Sequence, residues 1–261
     1  MDFSRPSQQL TVNDLQVCVC RDREVLAQTA AQQARDRLLR AVAQRGEAAL
    51  VLATGNSQKD LLAALIQDST LDWSKITLFH LDEFLGIGAD CPGSFRFYLR
   101  DRVMSHITPR NFHFLQGDTD NPVQECDRYT ALLQAQPLDL AFLGIGDNGH
   151  LAFNEPHAAN FDDEPWVKVV QLATTTRQQQ LGSSTFPNLE AVPSAALTLT
   201  FAALRATQTL ICLAPGSKKA KIVNRTLSSP IFPDWPASYL RLLPQATLYV
   251  DRESYGDFVR E

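Results

Sequence analysis

A cluster of polar side chains in the middle of the chain has the types and spacing that acid–base chemistry needs. It follows an apolar run, residues 138–143, which predicts a buried strand that ends in a glycine-rich turn. A strand end that presents an imidazole together with carboxyl groups is a candidate site for general acid–base catalysis. Within nine residues the turn carries Asp147, Asn148, His150, Asn154 and Glu155.

The same segment has the spacing of a dinucleotide-binding fingerprint, with glycines at Gly144, Gly146 and Gly149. That fingerprint requires a helix to begin at the third glycine, so that the helix N-terminus faces a pyrophosphate. Here Pro156 would break any such helix within two turns, and the segment lies in mid-chain rather than at a first strand–helix turn. We therefore exclude a dinucleotide cofactor.

Two further carboxyl groups, Asp82 and Glu83, follow another apolar run. Carboxylates at the end of a buried strand are costly unless they are used or paired. We expect one of the two to point into a crevice and its neighbour to point away; a surface loop is the alternative. His150 is interpreted as an imidazole that Glu155 orients, which fixes its tautomer and raises its basicity. The alternative for His150 is a purely structural histidine.

Two turns have the features of phosphate-binding loops. Both precede predicted helices and offer backbone N–H groups, the first with two hydroxyls and the second with two cations. A lysine at a helix start is disfavoured by the helix dipole unless an anion offsets it. An ordinary glycine turn is the alternative for either loop alone, but two together favour a phosphorylated small molecule. The loops are Thr54, Gly55, Asn56 and Ser57, and Ser217, Lys218 and Lys219.

The strands that end in these clusters alternate with predicted helices. Such alternation predicts an α/β fold, an open and mostly parallel sheet with helices on both faces. Ligands bind beyond the C-terminal ends of the strands in such sheets, so the clusters should meet in one crevice. Without internal repeats or low-complexity linkers, residues 1–261 are interpreted as one domain, with residues 229–236 as a surface loop. The predicted strands are residues 15–20, 49–53, 76–79, 112–115, 138–143, 167–172, 196–200, 209–213 and 246–251, and the predicted helices are residues 22–44, 60–67, 94–104, 125–134 and a segment that ends near 227.

The composition limits the class of protein. Hydrophobic residues make up 44% and charged residues 20% of the chain, as is ordinary for a soluble globular protein. The net charge of −5 indicates no basic face for nucleic acid, and no apolar run reaches membrane-spanning length. We therefore expect a cytoplasmic protein that binds neither nucleic acid nor membrane. The cysteines and histidines show no metal-ligand spacing, so we expect reduced thiols and no metal.

Four motifs together resemble those of the glucosamine-6-phosphate isomerase/deaminase family, which is related to the 6-phosphogluconolactonases. They are ATGNS at 53–57, FHLDEFLGI at 79–87, LGIGDNGHLAFNEP at 143–156 and PGSKKA at 215–220. The LDEFLG and FNEP elements favour the deaminase branch over the lactonase branch. The resemblance implies a Rossmann-like α/β fold, no redox cofactor, and conversion of an amino-sugar phosphate to a keto-sugar phosphate with release of ammonia. Glucosamine 6-phosphate is the expected substrate.

The resemblance also assigns roles to residues. Asp82 would be the base that moves the C2 proton to C1 of the sugar. His150, oriented by Glu155 and able to hydrogen-bond Asn148, would open the pyranose ring by shuttling a proton at the ring oxygen. Additional substrate contacts are expected from Glu83 and Arg177. The phosphate would be held by Thr54, Gly55, Asn56, Ser57 and Lys219.

The chain departs from the family pattern in three places. Asn148 stands where many members have aspartate, so it can hydrogen-bond the imidazole but cannot offset a positive charge on it. Members of the well-studied branch carry a second substrate-gripping arginine five residues after the position of Arg177, and here that position is Gly182. Arg177 itself, Arg96 or Lys218 are candidates to compensate. The serine pair that resembles an allosteric site is also absent, so we expect no activation by N-acetylglucosamine 6-phosphate.

Two other functions stay open at this point. One is hydrolysis of a sugar-phosphate lactone on the same scaffold, although a lactonase needs no base at C2 and Asp82 argues against it. The other is a non-catalytic sugar-phosphate sensor, against which the intact set of Asp82, His150 and Glu155 counts. The sequence leaves the gluco or galacto epimer open. Relatives include both monomers and hexamers, so a homo-oligomer is one of the states that the resemblance allows.

Overall fold

Strands and helices alternate along the chain in the computed structural model, which describes residues 6–181 and 185–256. The strands are β1 (Gln8–Val12), β2 (Leu15–Cys20), β3 (Ala48–Leu52), β4 (Ile76–His80), β5 (Asp82–Phe84), β6 (Asn111–Phe112), β7 (Leu140–Gly144), β8 (Val167–Gln171), β9 (Ala195–Leu199), β10 (Leu210–Leu213) and β11 (Ala246–Asp251). The α-helices are α1 (Arg23–Arg45), α2 (Lys59–Ile66), α3 (Phe95–Leu99), α4 (Pro122–Gln134), α5 (Thr174–Leu181), α6 (Phe201–Ala206), α7 (Ala220–Ser228) and α8 (Arg252–Tyr255).

An eight-stranded sheet carries the fold, with the strand order β1-β2-β11-β10-β7-β3-β4-β6. Every neighbouring pair is parallel except the β1–β2 hairpin. The predicted Rossmann-like fold with an open, mostly parallel sheet is therefore confirmed. Strand β7 lies between β3 and β10, and the chain continues outward in opposite directions from these two. Ligands bind at such a switch point, where the loops after β3, β7 and β10 come together.

The central strands are buried because helices cover the sheet. Leu50, Phe142 and Ile211, one each from β3, β7 and β10, are fully buried, as expected for strands of a parallel sheet. The longest helix, α1, begins where the Asp22 carboxylate accepts a hydrogen bond from the Val25 N–H, and it ends at Gly46 in the left-handed conformation. None of the helices in the described ranges is long and apolar enough to cross a membrane.

A second, three-stranded antiparallel sheet has the order β5-β9-β8. In its register Asp82 pairs with Thr198, so the second residue after the end of β4 lies on a strand and not on a free loop. Residues 167–172 and 196–200 were predicted to be extended, and they form β8 and β9. The three residues of β5 were not predicted as a strand, because so short a segment shows no alternation.

Three predicted elements differ from the structure, and β1, α5, α6 and α8 were not predicted. The strand predicted at 112–115 is only the two residues of β6, and the helix predicted at 94–104 is α3 followed by a π-helical segment, Arg100–Met104. The surface loop predicted at 229–236 is wrong at its end, where Trp235 and Pro236 are buried. Trp235 is buried because its ring packs against Gly149 and its indole N–H donates to the Thr226 hydroxyl, 3.1 Å away.

Candidate active site

The loop after β7 is a tight turn that places His150 over a glycine. The Gly146 N–H donates to the His150 carbonyl (2.9 Å), and the Gly149 N–H donates to the Gly146 carbonyl (3.0 Å). A side chain at Gly146 would overlap the imidazole, since its Cβ would fall 2.2 Å from Nε2. Gly149 has a φ of +85° and lies against the Trp235 ring, so it needs glycine for both conformation and space. The glycines therefore serve the placement of His150.

Asn148 connects His150 to Glu155. The Asn148 side-chain NH₂ donates to Glu155 Oε2 (2.6 Å), and its carbonyl oxygen lies 2.8 Å from His150 Nδ1 and accepts from the His150 backbone N–H (3.2 Å). Because an amide oxygen only accepts, His150 Nδ1 carries the proton and Nε2 keeps its lone pair. Glu155 Oε2 lies 3.8 Å from Nδ1, so the carboxylate orients the imidazole through Asn148 and not directly, as the sequence had suggested.

The imidazole of His150 is largely neutral in this setting. Burial lowers the pKa of His150 and outweighs the Glu155 carboxylate, which raises it. The Thr176 hydroxyl lies 3.4 Å from Nδ1 and adds a second polar neighbour from α5. A neutral imidazole with a free Nε2 can accept a proton and return it, which is the property of a proton shuttle.

Asp82 and Glu83 are neighbours with opposite environments. Glu83 is fully buried and accepts hydrogen bonds from the Ser94 hydroxyl (2.7 Å) and from the backbone N–H groups of Phe84, Phe95 and Arg96. It therefore holds the N-terminus of α3 and is not available as the substrate contact that the sequence suggested. Burial is the larger influence on its pKa, which is raised despite these donors.

The Asp82 carboxyl receives no hydrogen bond from any residue in the described ranges. Its side chain is buried, with the residue 7% exposed, and burial raises the pKa of Asp82 to about 8, with a smaller contribution from the negative charge of Glu83. A carboxyl group with a pKa near the working pH can both take and give a proton. The two neighbours therefore differ, since Glu83 is used inside the fold and Asp82 has no donor among the described residues; that Asp82 faces the crevice stays a prediction.

Two buried polar residues connect the strand of Asp82 to the loop of His150. Thr198, opposite Asp82 in the small sheet, accepts a hydrogen bond on its hydroxyl from the Phe153 N–H (2.9 Å). The Asn154 side chain donates to the carbonyls of Leu151 and Leu199, which joins the loop to β9. Hydrogen bonds thus connect the small sheet that carries Asp82 to the His150 loop, which follows β7 of the large sheet.

The two predicted phosphate loops both flank the end of β7. Ser57 lies close to the end of this strand, since a Cβ on Gly144 would fall 3.2 Å from the Ser57 hydroxyl oxygen. From the other side, the Lys219 ammonium donates to the Ile145 carbonyl (2.7 Å) and to Asp147 (2.8 Å). Burial raises the pKa of Asp147, but Lys219, Gln179 and His150 together outweigh it, so the pKa is lowered. Both loops therefore lie beside the end of β7, where the His150 loop begins.

The first phosphate loop, Thr54–Ser57, is open to solvent at its tip. Gly55 and Asn56 are exposed, and Gly55 has a φ of +106°, a conformation that favours glycine. The Asn56 carbonyl accepts a hydrogen bond from Arg23 (2.8 Å), and the Gln58 N–H closes the turn on the Gly55 carbonyl (3.1 Å). The role of Thr54, Gly55, Asn56, Ser57 and Lys219 as phosphate ligands stays a prediction.

Arg177, Arg96 and Lys218 are the candidates to compensate for the arginine that Gly182 replaces. Arg177 donates to the backbone carbonyls of Leu189 and Val192, so its guanidinium braces the chain after α5 and is not free for a substrate. Arg96 is buried and pairs with Asp118 (2.8 Å). Lys218 is exposed beside Lys219. Gly182 itself lies outside the described residues.

Some residues of the site were not found from the sequence. Thr176 and Thr198 carry common hydroxyl side chains with no distinctive spacing, and their contacts depend on the tertiary fold. The bridging geometry of Asn148 follows from its bond to Glu155, which spacing alone does not reveal. Within residues 6–181 and 185–256, no three His, Cys, Asp or Glu side chains come together in an arrangement that could hold a metal ion.

The sequence and the fold match a known family of proteins. The family model for glucosamine-6-phosphate isomerases and 6-phosphogluconolactonases matches residues 21–249, and the chain belongs to this family. The predicted resemblance is therefore confirmed.

Particular relatives lie on the deaminase side of the family. The chain is 35% identical over 246 residues to glucosamine-6-phosphate deaminase 1 of Bacillus subtilis (strain 168), with 92% of this chain and 98% of that protein covered. A solved structure described as a monomeric glucosamine-6-phosphate deaminase is 34% identical, with a TM-score of 0.83 and coverage of 92% and 98%. A 6-phosphogluconolactonase from Shewanella baltica OS155 has a TM-score of 0.73 over 93% of this chain and 98% of that one, but at 20% identity it shows the fold alone.

Proposed function

We propose that this chain catalyses the isomerising deamination of an amino-sugar phosphate, with glucosamine 6-phosphate converted to fructose 6-phosphate and ammonia. The observation that carries the proposal is the Asp82 carboxyl, which is buried beside the His150 loop and receives no hydrogen bond from residues 6–181 and 185–256. Isomerisation of an aldose to a ketose needs a base that moves a proton from C2 to C1, whereas lactone hydrolysis does not. The deaminases at 34–35% identity support the same choice.

The first chemical step is opening of the sugar ring. The free Nε2 of His150 accepts the proton of the C1 hydroxyl, and the ring C1–O5 bond breaks as the C1 carbonyl forms. The imidazolium then returns the proton to O5. Asn148 holds Nδ1–H throughout, so only Nε2 takes part, and Glu155 supports Asn148 from behind.

The second step is proton transfer along the open chain. Ionised Asp82 takes the proton from C2, which is acidic because it lies next to the C1 carbonyl, and an enolamine forms. Protonated Asp82 then gives the proton to C1, one proton of the amine passes to the negative C1 oxygen, and the C2 carbon becomes an imine beside a C1 hydroxyl. One water adds to this imine and one ammonia leaves, which yields the ketose. A carboxyl with a raised pKa suits both halves of the transfer.

The phosphate end of the substrate would bind between the two loops that flank β7. Thr54–Ser57 supplies backbone N–H groups and hydroxyls, and Lys219 supplies the cation. Lys219 now pairs with Asp147, so we expect the phosphate to compete with Asp147 for the ammonium. Lys218, exposed next to it, is the one of the three candidates whose cation is open to a phosphate.

The sugar phosphate is thus the proposed partner of this site, and the gluco epimer is proposed because the relatives carry that name. The solved relative at 34% identity is described as monomeric. A homo-oligomer, a cytoplasmic location and the lack of activation by N-acetylglucosamine 6-phosphate stay predictions.

The experiment is ammonia release by the purified protein from glucosamine 6-phosphate, with galactosamine 6-phosphate and 6-phosphogluconolactone in parallel. We expect ammonia and fructose 6-phosphate in equal amounts from the gluco sugar. Ammonia from the galacto sugar alone would mean that galactosamine 6-phosphate is the substrate. Lactone hydrolysis without ammonia would replace the proposal with the lactonase function, and binding without turnover of any of the three would favour a sensor.

A further inference from the structure

Gln58, the residue directly after the Thr54–Ser57 loop, is fully buried and has an unusual set of contacts. Its side-chain nitrogen donates to the Ser57 hydroxyl oxygen (3.0 Å) and to the Leu143 carbonyl at the end of β7 (3.0 Å). These two bonds use both hydrogens of the amide group. A single side chain therefore joins the proposed phosphate loop to the strand from which the His150 loop starts.

The orientation of this amide is fixed by its neighbours. If the amide were turned around, its oxygen would face the Leu143 carbonyl oxygen, and two acceptors would oppose each other. The amide nitrogen must therefore face Ser57 and Leu143. The amide oxygen is left buried without a partner among the described residues, an arrangement that lowers stability and that proteins seldom keep without a use.

The bond from Gln58 also fixes the direction of the Ser57 hydroxyl. The Ser57 oxygen accepts from Gln58, so its own hydrogen points elsewhere and is available as a donor. Gly144 permits this close approach, because a Cβ there would lie 3.2 Å from the Ser57 oxygen and 3.6 Å from the Gln58 nitrogen. A phosphate has only acceptor oxygens when it is a dianion, so a hydroxyl held as a donor is suited to it.

We infer that Gln58 is a positioning residue for the substrate phosphate: it holds the Ser57 hydroxyl as a donor and keeps the phosphate loop in register with the end of β7. This inference rests on the proposed function, since it concerns the same phosphate site. Gln58 itself does not touch the substrate and acts through Ser57.

The test compares Gln58→Met with the wild-type protein. Methionine has a similar length and no donor, so it leaves the Ser57 hydroxyl free to turn. We expect the affinity for inorganic phosphate, measured by calorimetry, to fall and the KM for glucosamine 6-phosphate to rise by about 10-fold, the effect of one charge-assisted hydrogen bond. The kcat should change much less, because the reacting carbons lie at the other end of the substrate. Gln67→Met, the same change at an exposed position just after α2, should alter neither value.

A double-mutant cycle separates positioning from a general structural effect. Ser57→Ala alone should weaken phosphate binding by a similar factor, but in the Gln58→Met background it should cost little more, because the two residues act as one unit. Gln58→Glu should weaken phosphate binding further than Gln58→Met, because a carboxylate accepts the Ser57 hydrogen and repels the phosphate. Additive losses from Ser57→Ala and Gln58→Met, or a Gln58→Met variant with wild-type phosphate affinity, would overturn the inference.

The phosphate measurement needs no turnover, so it distinguishes this inference from the proposed function. A protein that binds phosphate with the predicted dependence on Gln58 but releases no ammonia would contradict the function alone. Ammonia release by the wild type with an unaffected KM in Gln58→Met would contradict the inference alone. Failure of the wild type to bind inorganic phosphate under conditions in which it binds glucosamine 6-phosphate would overturn it as well.

Discussion

The end of β4 (residues 80–84) and the loop after β7 (residues 144–155) both carry carboxyl groups at the same edge of the sheet, but these groups have different partners, and Asp147 of the loop is exposed. In the β7 loop, Glu155 receives the Asn148 amide at 2.6 Å, and Asp147 pairs with Lys219. At the β4 end, Asp82 receives no donor from the described residues. The imidazole at the β4 end, His80, brings no positive charge either, since burial lowers its pKa to about 3.

The different surroundings of these carboxyl groups explain how one site can contain two kinds of acid–base group. Where a donor or a cation contacts a carboxylate, the hydrogen bond holds the group in place, and the group can orient its neighbours. Where they are absent, burial favours the neutral acid, and the proton becomes transferable near neutral pH. The β7 loop is therefore a fixed support for His150, and the β4 end provides the group whose proton moves. Glu83, the neighbour of Asp82, receives four donors.

The largest expected effect is that of Asp82→Asn on turnover. The amide has the same shape but cannot take the C2 proton, so ammonia release should fall by about 10³-fold or more, within or above the usual contribution of a general base. Binding of glucosamine 6-phosphate, followed by calorimetry, should be nearly unchanged. If the variant kept a tenth or more of the wild-type rate, Asp82 would not be the base, and the proposed difference between the two regions would be wrong.

Breaking the support in the β7 loop should have a smaller effect. Asn148→Leu removes both bonds of the bridge with little change in size, so the His150 imidazole loses its fixed tautomer. We expect kcat/KM to fall by about 10- to 100-fold, as for other residues that orient a reactive imidazole. Glu155→Gln should add little to Asn148→Leu, because both act through the same bridge. If the two losses were additive, Glu155 would act on His150 by a route other than Asn148.

Neutralising Glu83, whose carboxylate receives hydrogen bonds at the β4 end, should affect stability and not turnover. In Glu83→Gln the side chain keeps its size but loses charge-assisted hydrogen bonds at the start of α3, so the free energy of unfolding should fall by about 1–3 kcal/mol. Urea unfolding measures this value. Asp82→Asn is the matched control and should not lower it at pH 8. Equal losses of stability in the two variants would mean that Asp82 and Glu83 contribute to stability in the same way.

The pH dependence of kcat/KM sharpens the same contrast. Asp82 must be ionised to take the C2 proton, and burial raises its pKa to about 8 in the free protein. The ionised fraction, and with it kcat/KM, should fall about tenfold for each unit below that value. A profile that is flat between pH 6 and 8 would contradict the raised pKa.

The same shift links stability to pH. The pKa of Asp82 is about 8 in the folded state against an ordinary 3.8, so the folded protein binds the extra proton between these values. Its contribution to the free energy of unfolding should therefore fall as the pH rises through this window. Asp82→Asn should remove this part of the slope, which chemical unfolding at pH 5 and pH 8 can measure.

The sequence predicted the parts of this site that depend on local order. The polar cluster after residues 138–143 was found because apolar strands and glycine turns are local signals, and the topology rule for parallel sheets then brought four strand ends together. It also predicted that Asp82 and Glu83 would differ, from the cost of burying two adjacent carboxylates.

What the sequence could not predict depends on contacts between distant segments. Spacing placed Glu155 against His150, but the position of the Asn148 amide between them is a matter of loop geometry. The contact of Gln58 with the Leu143 carbonyl joins residues far apart in the chain, and no pattern indicates it. Arg177 looked like a free cation because its partners, Leu189 and Val192, are carbonyls of an irregular segment without a sequence signature.

The most direct test of the account is the fate of deuterium placed at C2 of glucosamine 6-phosphate. If the buried Asp82 carboxyl carries the proton from C2 to C1, at least part of the deuterium should appear at C1 of the fructose 6-phosphate, with one ammonia released for each product molecule. NMR of the product measures the label. A product whose C1 holds only solvent hydrogen, or a reaction that forms no ammonia, would contradict the account.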